Sequence, residues 1–170
     1  MDEGPHPATL PPETLLRDCE ITRGRGSGPG GQHRNKVQTL VTIRHRPTGV
    51  SGSAGERRSQ AQNRSVALFR LRLTLAVEVR CPPGNEPSAL WRKRLDEAGG
   101  RIKCNPEHDD YPALLAEALD HITDASGDVA ITAKRLGCST SQLNKLLRDE
   151  PRAMQRVNAM RAERGMHALR

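Results

Sequence analysis

Aromatic side chains are almost absent from this sequence of 170 residues, since Phe69, Trp91 and Tyr111 are the only three. A hydrophobic core must therefore be built mainly from leucine, isoleucine, valine and alanine. Such a core favours small, helix-rich layers over a large β-sandwich. A chain of this length can hold one well-packed domain, or one small domain with a helical appendage, which excludes large multidomain architectures.

Long apolar runs are absent as well. No stretch of 18 or more apolar residues occurs, so the sequence predicts no transmembrane helix. The first residues combine Asp2 and Glu3 with four prolines, and they lack the basic and apolar regions of a secretory signal. We expect a cytoplasmic protein that does not associate with a membrane.

The four cysteines, Cys19, Cys81, Cys104 and Cys138, form no Cys-x-x-Cys pair of the kind that zinc sites favour. Cys104 and His108 are four residues apart, but Pro106 lies between them and no second ligand pair is evident. We therefore predict structural thiols, no metal site and no cofactor.

Positive charge is concentrated in the first half of the chain. Residues 17–80 hold 13 Lys and Arg against 4 Asp and Glu, a net charge of +9, whereas residues 81–170 hold 14 against 13, a net charge of +1. Such a lopsided distribution predicts that the first half contacts a polyanion, most simply a nucleic acid. The alternative is a solvated basic face without a partner.

The pattern along the chain predicts an α+β protein. Residues 1–14 are rich in proline and are interpreted as a mobile leader. Short strands near residues 19–23, 40–46 and 50–54 precede a long helix that Ser59 can cap and that runs to about Val79, so residues 15–80 are predicted to form a small sheet packed by a long helix.

The second half is predicted to be entirely helical. Residues 81–110 are interpreted as a linker with one short helix, and residues 111–170 as a helical C-terminal domain. Within it, residues 129–147 fit a helix-turn-helix unit, with Gly137 in the turn and Leu143 and Leu146 on the following helix. Any two short helices joined at a glycine give the same pattern, so nucleic-acid binding by this unit stays an open alternative.

The sequence between the first two strands carries the most informative motif, Gly30-Gly31-Gln32. Adjacent glycines have no Cβ, so the main chain can approach a substrate atom closely. Gln32 offers a backbone N–H and a side-chain donor and acceptor, but it has no group that titrates near neutrality. These residues could therefore stabilise developing negative charge while water acts as the nucleophile.

The residues around this tripeptide resemble a known family. The run from Ser27 to Lys36, Ser-Gly-Pro-Gly-Gly-Gln-His-Arg-Asn-Lys, is similar to the catalytic loop of the class I peptide chain release factors. Further similarity lies in the strand that ends in Pro47-Thr48-Gly49 and in the helix start Arg58-Ser59-Gln60 followed by Asn63. The resemblance covers about residues 18–79 and combines several elements in the expected order.

The resemblance implies hydrolysis of the ester bond of P-site peptidyl-tRNA in the peptidyl transferase centre of the large ribosomal subunit. It assigns catalysis to Gly30, Gly31 and Gln32, and loop shaping to Ser27, Gly28 and Pro29. The four cations nearest the motif are expected to contact ribosomal RNA, as judged from charge alone: Arg23, Arg25, Arg34 and Lys36. We expect the protein to act as a monomer.

The second half departs from the decoding release factors, because no segment of this sequence resembles their codon-reading domain. We therefore expect a short, codon-independent factor that rescues stalled ribosomes. One alternative is a non-catalytic ribosome- or RNA-binding factor that uses the C-terminal helices. Another is a DNA-binding regulator built on the helix-turn-helix unit, although the near-neutral charge of that half is a poor footprint for DNA.

Overall fold

A computed structural model describes residues 4–24 and 39–170. Within these residues, the chain forms a short 3-10 helix, three strands and seven α-helices. Their bounds in chain order are the 3-10 helix Pro7–Thr9, α1 Pro12–Arg17, β1 Cys19–Gly24, β2 Leu40–His45, β3 Ser51–Ala54, α2 Gln60–Glu78, α3 Ala89–Glu97, α4 Tyr111–Asp124, α5 Val129–Arg135, α6 Thr140–Arg148 and α7 Pro151–Ala162. This composition confirms the predicted α+β class.

Two compact units divide the chain. The first, called the sheet unit here, comprises Leu10–Leu75, and the second, called the helical unit, comprises Met1–Thr9 and Ala76–Arg170. Helix α2 contributes residues to both units. The domains predicted from the sequence, residues 1–14, 15–80, 81–110 and 111–170, have other boundaries than these two units, and they stay a prediction.

The sheet unit contains one antiparallel sheet in the order β1-β2-β3. Cys19 pairs with His45 and Gly24 with Leu40, and the pairing of β2 with β3 joins Val41 to Ala54. The sharp turn between β2 and β3 was predicted at residues 47–49. It closes through the Gly49 N–H, which donates to the His45 carbonyl at 2.8 Å while Gly49 has a φ of +73°.

Helix α2 buries one stripe of residues spaced by four. Asn63, Ala67, Leu71 and Leu75 are all fully buried, whereas Ala61, which the sequence pattern assigned to the apolar positions, is exposed. Gly52 on β3 lies against this stripe so closely that a Cβ there would be 2.3 Å from both the Ala67 carbonyl oxygen and the Leu71 nitrogen. A glycine is therefore required where strand and helix meet.

The helical unit is organised around α4. This helix is buried on nearly all sides, since 11 of its 14 residues are buried. A helix surrounded by protein has no polar face to present to water. The two largest buried side chains of the unit form hydrogen bonds between helices. The Trp91 indole on α3 donates to the Leu136 carbonyl, and the Tyr111 hydroxyl on α4 donates to the Leu146 carbonyl on α6, both at 2.8 Å.

The first described residues pack within the helical unit. Ala8 is fully buried in the 3-10 helix, and the His6 ring bonds the Val79 carbonyl at 3.1 Å and accepts the Ala8 N–H at 3.0 Å. The sequence predicted a mobile leader over residues 1–14, on the basis of its prolines. Prolines restrict the unfolded chain, so ordering such a segment costs less conformational entropy than its composition suggests.

Two short helices, α5 and α6, joined by a turn occupy the segment predicted as a helix-turn-helix. Asp128 accepts hydrogen bonds from the backbone at the start of α5, Ser139 does so at the start of α6, and Gly137 between them has a φ of +67°. Each helix therefore begins at a capping side chain, and the glycine allows the turn. In the described part of the chain, no helix is both long and apolar enough to cross a membrane.

Candidate functional site

The motif residues lie outside the described part of the chain. This applies to Gly30, Gly31 and Gln32, to the loop-shaping Ser27, Gly28 and Pro29, and to the cations Arg25, Arg34 and Lys36. Of the residues predicted to catalyse the reaction, shape the motif or contact RNA, Arg23 is the one that lies in the described part of the chain. It lies exposed on β1, opposite Val41.

The described residues on either side of the motif are held together by the sheet. Gly24 is the last residue of β1 and Leu40 is the first of β2, and the two are partners in the antiparallel ladder. The described residues on either side of the motif are therefore neighbours at one end of the sheet.

Asn63 anchors the point at which the chain returns. Its side-chain amide donates to the Thr39 carbonyl at 2.7 Å and to the Arg57 carbonyl at 2.9 Å, and its oxygen accepts the Arg57 N–H at 2.9 Å. The side chain is 0% exposed, so each of these bonds forms away from water. One buried amide thus links the first turn of α2 to the residues before β2 and to the segment after β3.

A second, exposed contact fastens the same region. The Arg70 guanidinium on α2 donates to the Ser53 carbonyl at 2.7 Å and pairs with Glu56 at 2.6 Å, while the Gly55 N–H donates to the Glu56 carboxylate at 2.9 Å. Hydrogen bonds from Gly55 and Arg70, together with the Glu56 backbone, lower the pKa of Glu56. The carboxylate is therefore held ionised beside α2.

Asn63 belongs to the resemblance described above, but the sequence alone assigned it no role. An asparagine in the first turn of a helix is a weak helix former, and that was the available signal that its side chain bonds elsewhere. No local pattern predicts the ion pair between Arg70 and Glu56, because 13 residues separate them in the sequence.

The sheet unit carries all of the chain's excess positive charge. Its residues, 10–75, hold 12 Lys and Arg against 4 Asp and Glu, a net charge of +8, while the helical unit holds 15 against 16, a net charge of −1. The exposed arginines of the sheet unit in the described residues are Arg17, Arg23, Arg44, Arg46, Arg57, Arg58, Arg64 and Arg70. This unit therefore has the charge that a polyanion requires.

Comparison with known proteins assigns the family. The model of the RF-1 domain matches residues 13–99, which is about half of the chain and includes the motif and its frame. The chain belongs to the class I peptide chain release factor family.

Several release factors share this similarity. Peptide chain release factor 1 of Staphylococcus saprophyticus is 32% identical over 143 residues, which are 79% of this chain and 39% of the relative. Peptide chain release factor 2 of Lactiplantibacillus plantarum is 39% identical over 83 residues, covering 49% of this chain and 22% of the relative. A mitochondrial, uncharacterised release factor-like protein of Saccharomyces cerevisiae is 40% identical over 84 residues, or 49% of this chain and 54% of the relative.

This release-factor chain is short beside its relatives. It spans between about a fifth and about a half of the length of the curated proteins that it matches.

One group in the described residues has the composition of a metal site: His6, Cys81 and Asp120, with ligand atoms within 4.8 Å of one another. Both ring nitrogens of His6 already have backbone partners, and the Asp120 carboxylate accepts from Arg80 at 2.8 Å and from the Cys81 N–H at 3.1 Å. An arginine bonded to the carboxylate also repels a cation. These contacts fit a polar clamp rather than a metal centre.

Burial sets the protonation of this clamp. It lowers the pKa of His6 to about 4, which keeps the imidazole neutral, and the nearby Arg80 lowers it further while the bond to Val79 opposes the shift. Burial raises the pKa of Asp120 to about 6 even though Arg80 favours the carboxylate. Burial therefore favours the neutral form of both groups, and His6 holds the first residues through its bond to the Val79 carbonyl.

The predicted recognition helix α6 is partly covered by its own chain. Gln142, expected on the exposed face, accepts the Ile102 N–H at 3.3 Å, and Ile102 is buried. Ser141, Lys145 and Arg148 stay exposed along α6. A duplex that received α6 in its groove would have to displace the segment around Ile102, which argues against a DNA-binding regulator.

Proposed function

We propose that this protein is a codon-independent peptidyl-tRNA hydrolase that releases nascent peptides from stalled ribosomes. The observation that carries the proposal is the family match over residues 13–99, which contains the full Ser27–Lys36 motif. The described frame supports it, because the sheet and Asn63 fix the residues on both sides of the motif.

The proposed chemistry is hydrolysis of an ester by water. The water oxygen attacks the carbonyl carbon of the ester, the bond to the ribose oxygen breaks, and that oxygen leaves with a proton. The backbone N–H of Gln32 would stabilise the negative charge that develops, and its side chain would orient the water. Gly30 and Gly31 would let the main chain approach the ester without a Cβ in the way.

The basic sheet unit is proposed to contact ribosomal RNA. Its net charge of +8 suits a phosphate-rich partner, and Arg23, Arg25, Arg34 and Lys36 are the cations nearest the motif in sequence. Phosphate contacts of this kind orient a protein on RNA but read no sequence. Codon independence is part of the proposal, and the release assay below tests it directly.

A release assay tests the proposal. Ribosomes stalled on a truncated mRNA with labelled peptidyl-tRNA in the P site are mixed with wild type, Gln32→Ala, or Gln62→Ala, and the released peptide is measured. Gln62 is an exposed glutamine on α2 and serves as the matched control. We expect Gln32→Ala to slow release by about 10²-fold or more and Gln62→Ala to leave it unchanged.

The same assay separates the alternatives. Release at equal rates with and without a stop codon in the A site supports codon independence, and release that requires the stop codon contradicts it. Undiminished release by Gln32→Ala would overturn the catalytic role. Wild-type protein that binds ribosomes but releases no peptide would favour the non-catalytic alternative.

A further inference from the structure

Three arginines of the helical unit line one cavity of about 370 Å³. Arg80 follows the end of α2, Arg156 lies on α7, and Arg164 follows α7. The helical unit has a net charge of −1, so a cluster of three guanidinium groups is a local exception to its composition. The cavity residues belong to this unit alone.

Arg80 is the fixed member of the cluster. It pairs with the buried Asp120 at 2.8 Å and also donates to the Ala76 carbonyl. Burial and the nearby Arg156 both lower the pKa of Arg80, while Asp120 opposes them. Two guanidinium groups are therefore held near enough to repel each other, and the Asp120 carboxylate already accepts from Arg80 and from a backbone N–H.

Arg156 and Arg164 are the exposed members. Arg164 donates to the Met160 carbonyl at 3.1 Å, which leaves further donors of its guanidinium for a ligand. In the part of the chain that the structure describes, no carboxylate pairs with Arg156 within salt-bridge distance. Glu163, which also lines the cavity, is the only acidic residue among the lining residues.

The rest of the cavity wall is largely apolar, with Val77, Leu119 and Val157 among its lining residues. Converging guanidinium groups match the geometry of phosphate oxygens, which accept paired N–H donors. An apolar surface beside them suits the sugar or base that a nucleotide carries. A volume of this size holds one such unit and little more.

We propose that this cavity binds the phosphate of a single nucleotide unit, through Arg80, Arg156 and Arg164. The phosphate can belong to the backbone of an RNA strand or to a free nucleotide, and both present the same oxygens to the arginines. The site is independent of the proposed hydrolysis, because it involves neither the motif nor the sheet unit.

The test uses the full chain and a readout at the arginines themselves. The Nε–Hε resonances of Arg80, Arg156 and Arg164 are followed by NMR during titration with uridine monophosphate, the dinucleotide UpU, inorganic phosphate or uridine, at constant ionic strength. We expect saturable shifts of these three resonances with a Kd of about 1 mM or tighter for a phosphate-bearing nucleotide, and none with uridine.

The two nucleotide probes distinguish the sources of the phosphate. Binding of UpU supports an RNA strand, and binding of the monophosphate alone supports a free nucleotide. Equal shifts with uridine, shifts with inorganic phosphate only, or no shift with any probe would overturn the proposal.

A pair of variants assigns the site. Arg156→Gln removes an exposed cation of the cavity, and Lys93→Gln removes one charge from α3, where the Lys93 side chain is 66% exposed. We expect Arg156→Gln to weaken nucleotide binding by about tenfold and Lys93→Gln to leave it unchanged. Arg164→Gln is the second test should the first variant fold poorly, and equal affinities for Arg164→Gln, Lys93→Gln and wild type would contradict the site.

Discussion

The sheet unit and the helical unit build their cores, which hold few aromatic residues, in different ways. The sheet unit brings backbones into direct contact, as Gly52 shows against α2, and satisfies the buried Asn63 amide with three backbone bonds. The helical unit instead uses Trp91 and Tyr111 as long polar-tipped anchors between helices. Close contact between backbones requires small residues such as glycine. It makes no use of the charged residues on the surface, and the sheet unit carries a net charge of +8.

The largest effect is expected at Gly52. In Gly52→Ala, the new Cβ would meet two backbone atoms of α2 at 2.3 Å, so strand and helix must move apart. We expect the sheet unit to lose more than about 3 kcal/mol of unfolding free energy. Hydrogen exchange should show lost protection in β2, β3 and the first part of α2, with α4 and α6 unchanged.

Gly4→Ala is the control for this experiment, because a Cβ at Gly4 meets nothing within 4 Å. Equal loss of protection in both units would show that they unfold together and would remove the contrast between them. Unchanged protection in β3 would show that the strand can shift at little cost.

A smaller effect is expected from acid at His6, in the helical unit. The unfolded chain binds a proton near the ordinary pKa of 6.5, but burial lowers the folded pKa to about 4. Stability from the neutral imidazole is therefore present above about pH 6.5 and is lost as the pH falls from 6.5 towards 4. Between pH 7 and pH 5, wild type should lose roughly 1–2 kcal/mol more than His6→Gln.

The measurement is the free energy of unfolding in urea at both pH values, followed through Trp91 fluorescence. Asp120 acts in the opposite sense, because its raised pKa favours the folded state as the pH falls, but both proteins contain it. Parallel pH dependence of wild type and His6→Gln would contradict the buried, neutral histidine.

The smallest effect is expected at the Tyr111 hydroxyl. Tyr111→Phe keeps the ring in place and removes the bond to the Leu146 carbonyl on α6, which then stays buried without that donor. We expect the helical unit to lose about 1 kcal/mol, measured by urea unfolding. A stability equal to that of wild type would mean that the ring alone anchors α6.

Local signals predicted most of the fold. Gly137 marks the turn between α5 and α6, as the sequence predicted, and Leu143 and Leu146 lie on the helix that follows it. Contacts between distant residues were not predictable in this way. The packing of Ala8 and His6, the requirement for Gly52 and the burial of α4 on all sides each depend on residues far away in sequence.

The same distinction between local signals and distant contacts applies to the candidate site. The motif around Gln32 is contiguous, so its family could be identified from the residues alone. The support that Asn63 gives to Thr39 spans 24 residues and became visible only when the chain was folded. Sequence therefore indicated the proposed chemistry, and the structure added the side chains that hold its frame.

The pairing of Gly24 with Leu40 has a consequence for how this family can vary. Because the sheet already joins the two ends, the strand pairing does not require one fixed length for the chain between them, and for flexible loops in general a doubled length costs about 0.6 kcal/mol. Selection on the length of this segment would then come from the chemistry proposed for Gly30, Gly31 and Gln32 and not from the fold of the sheet.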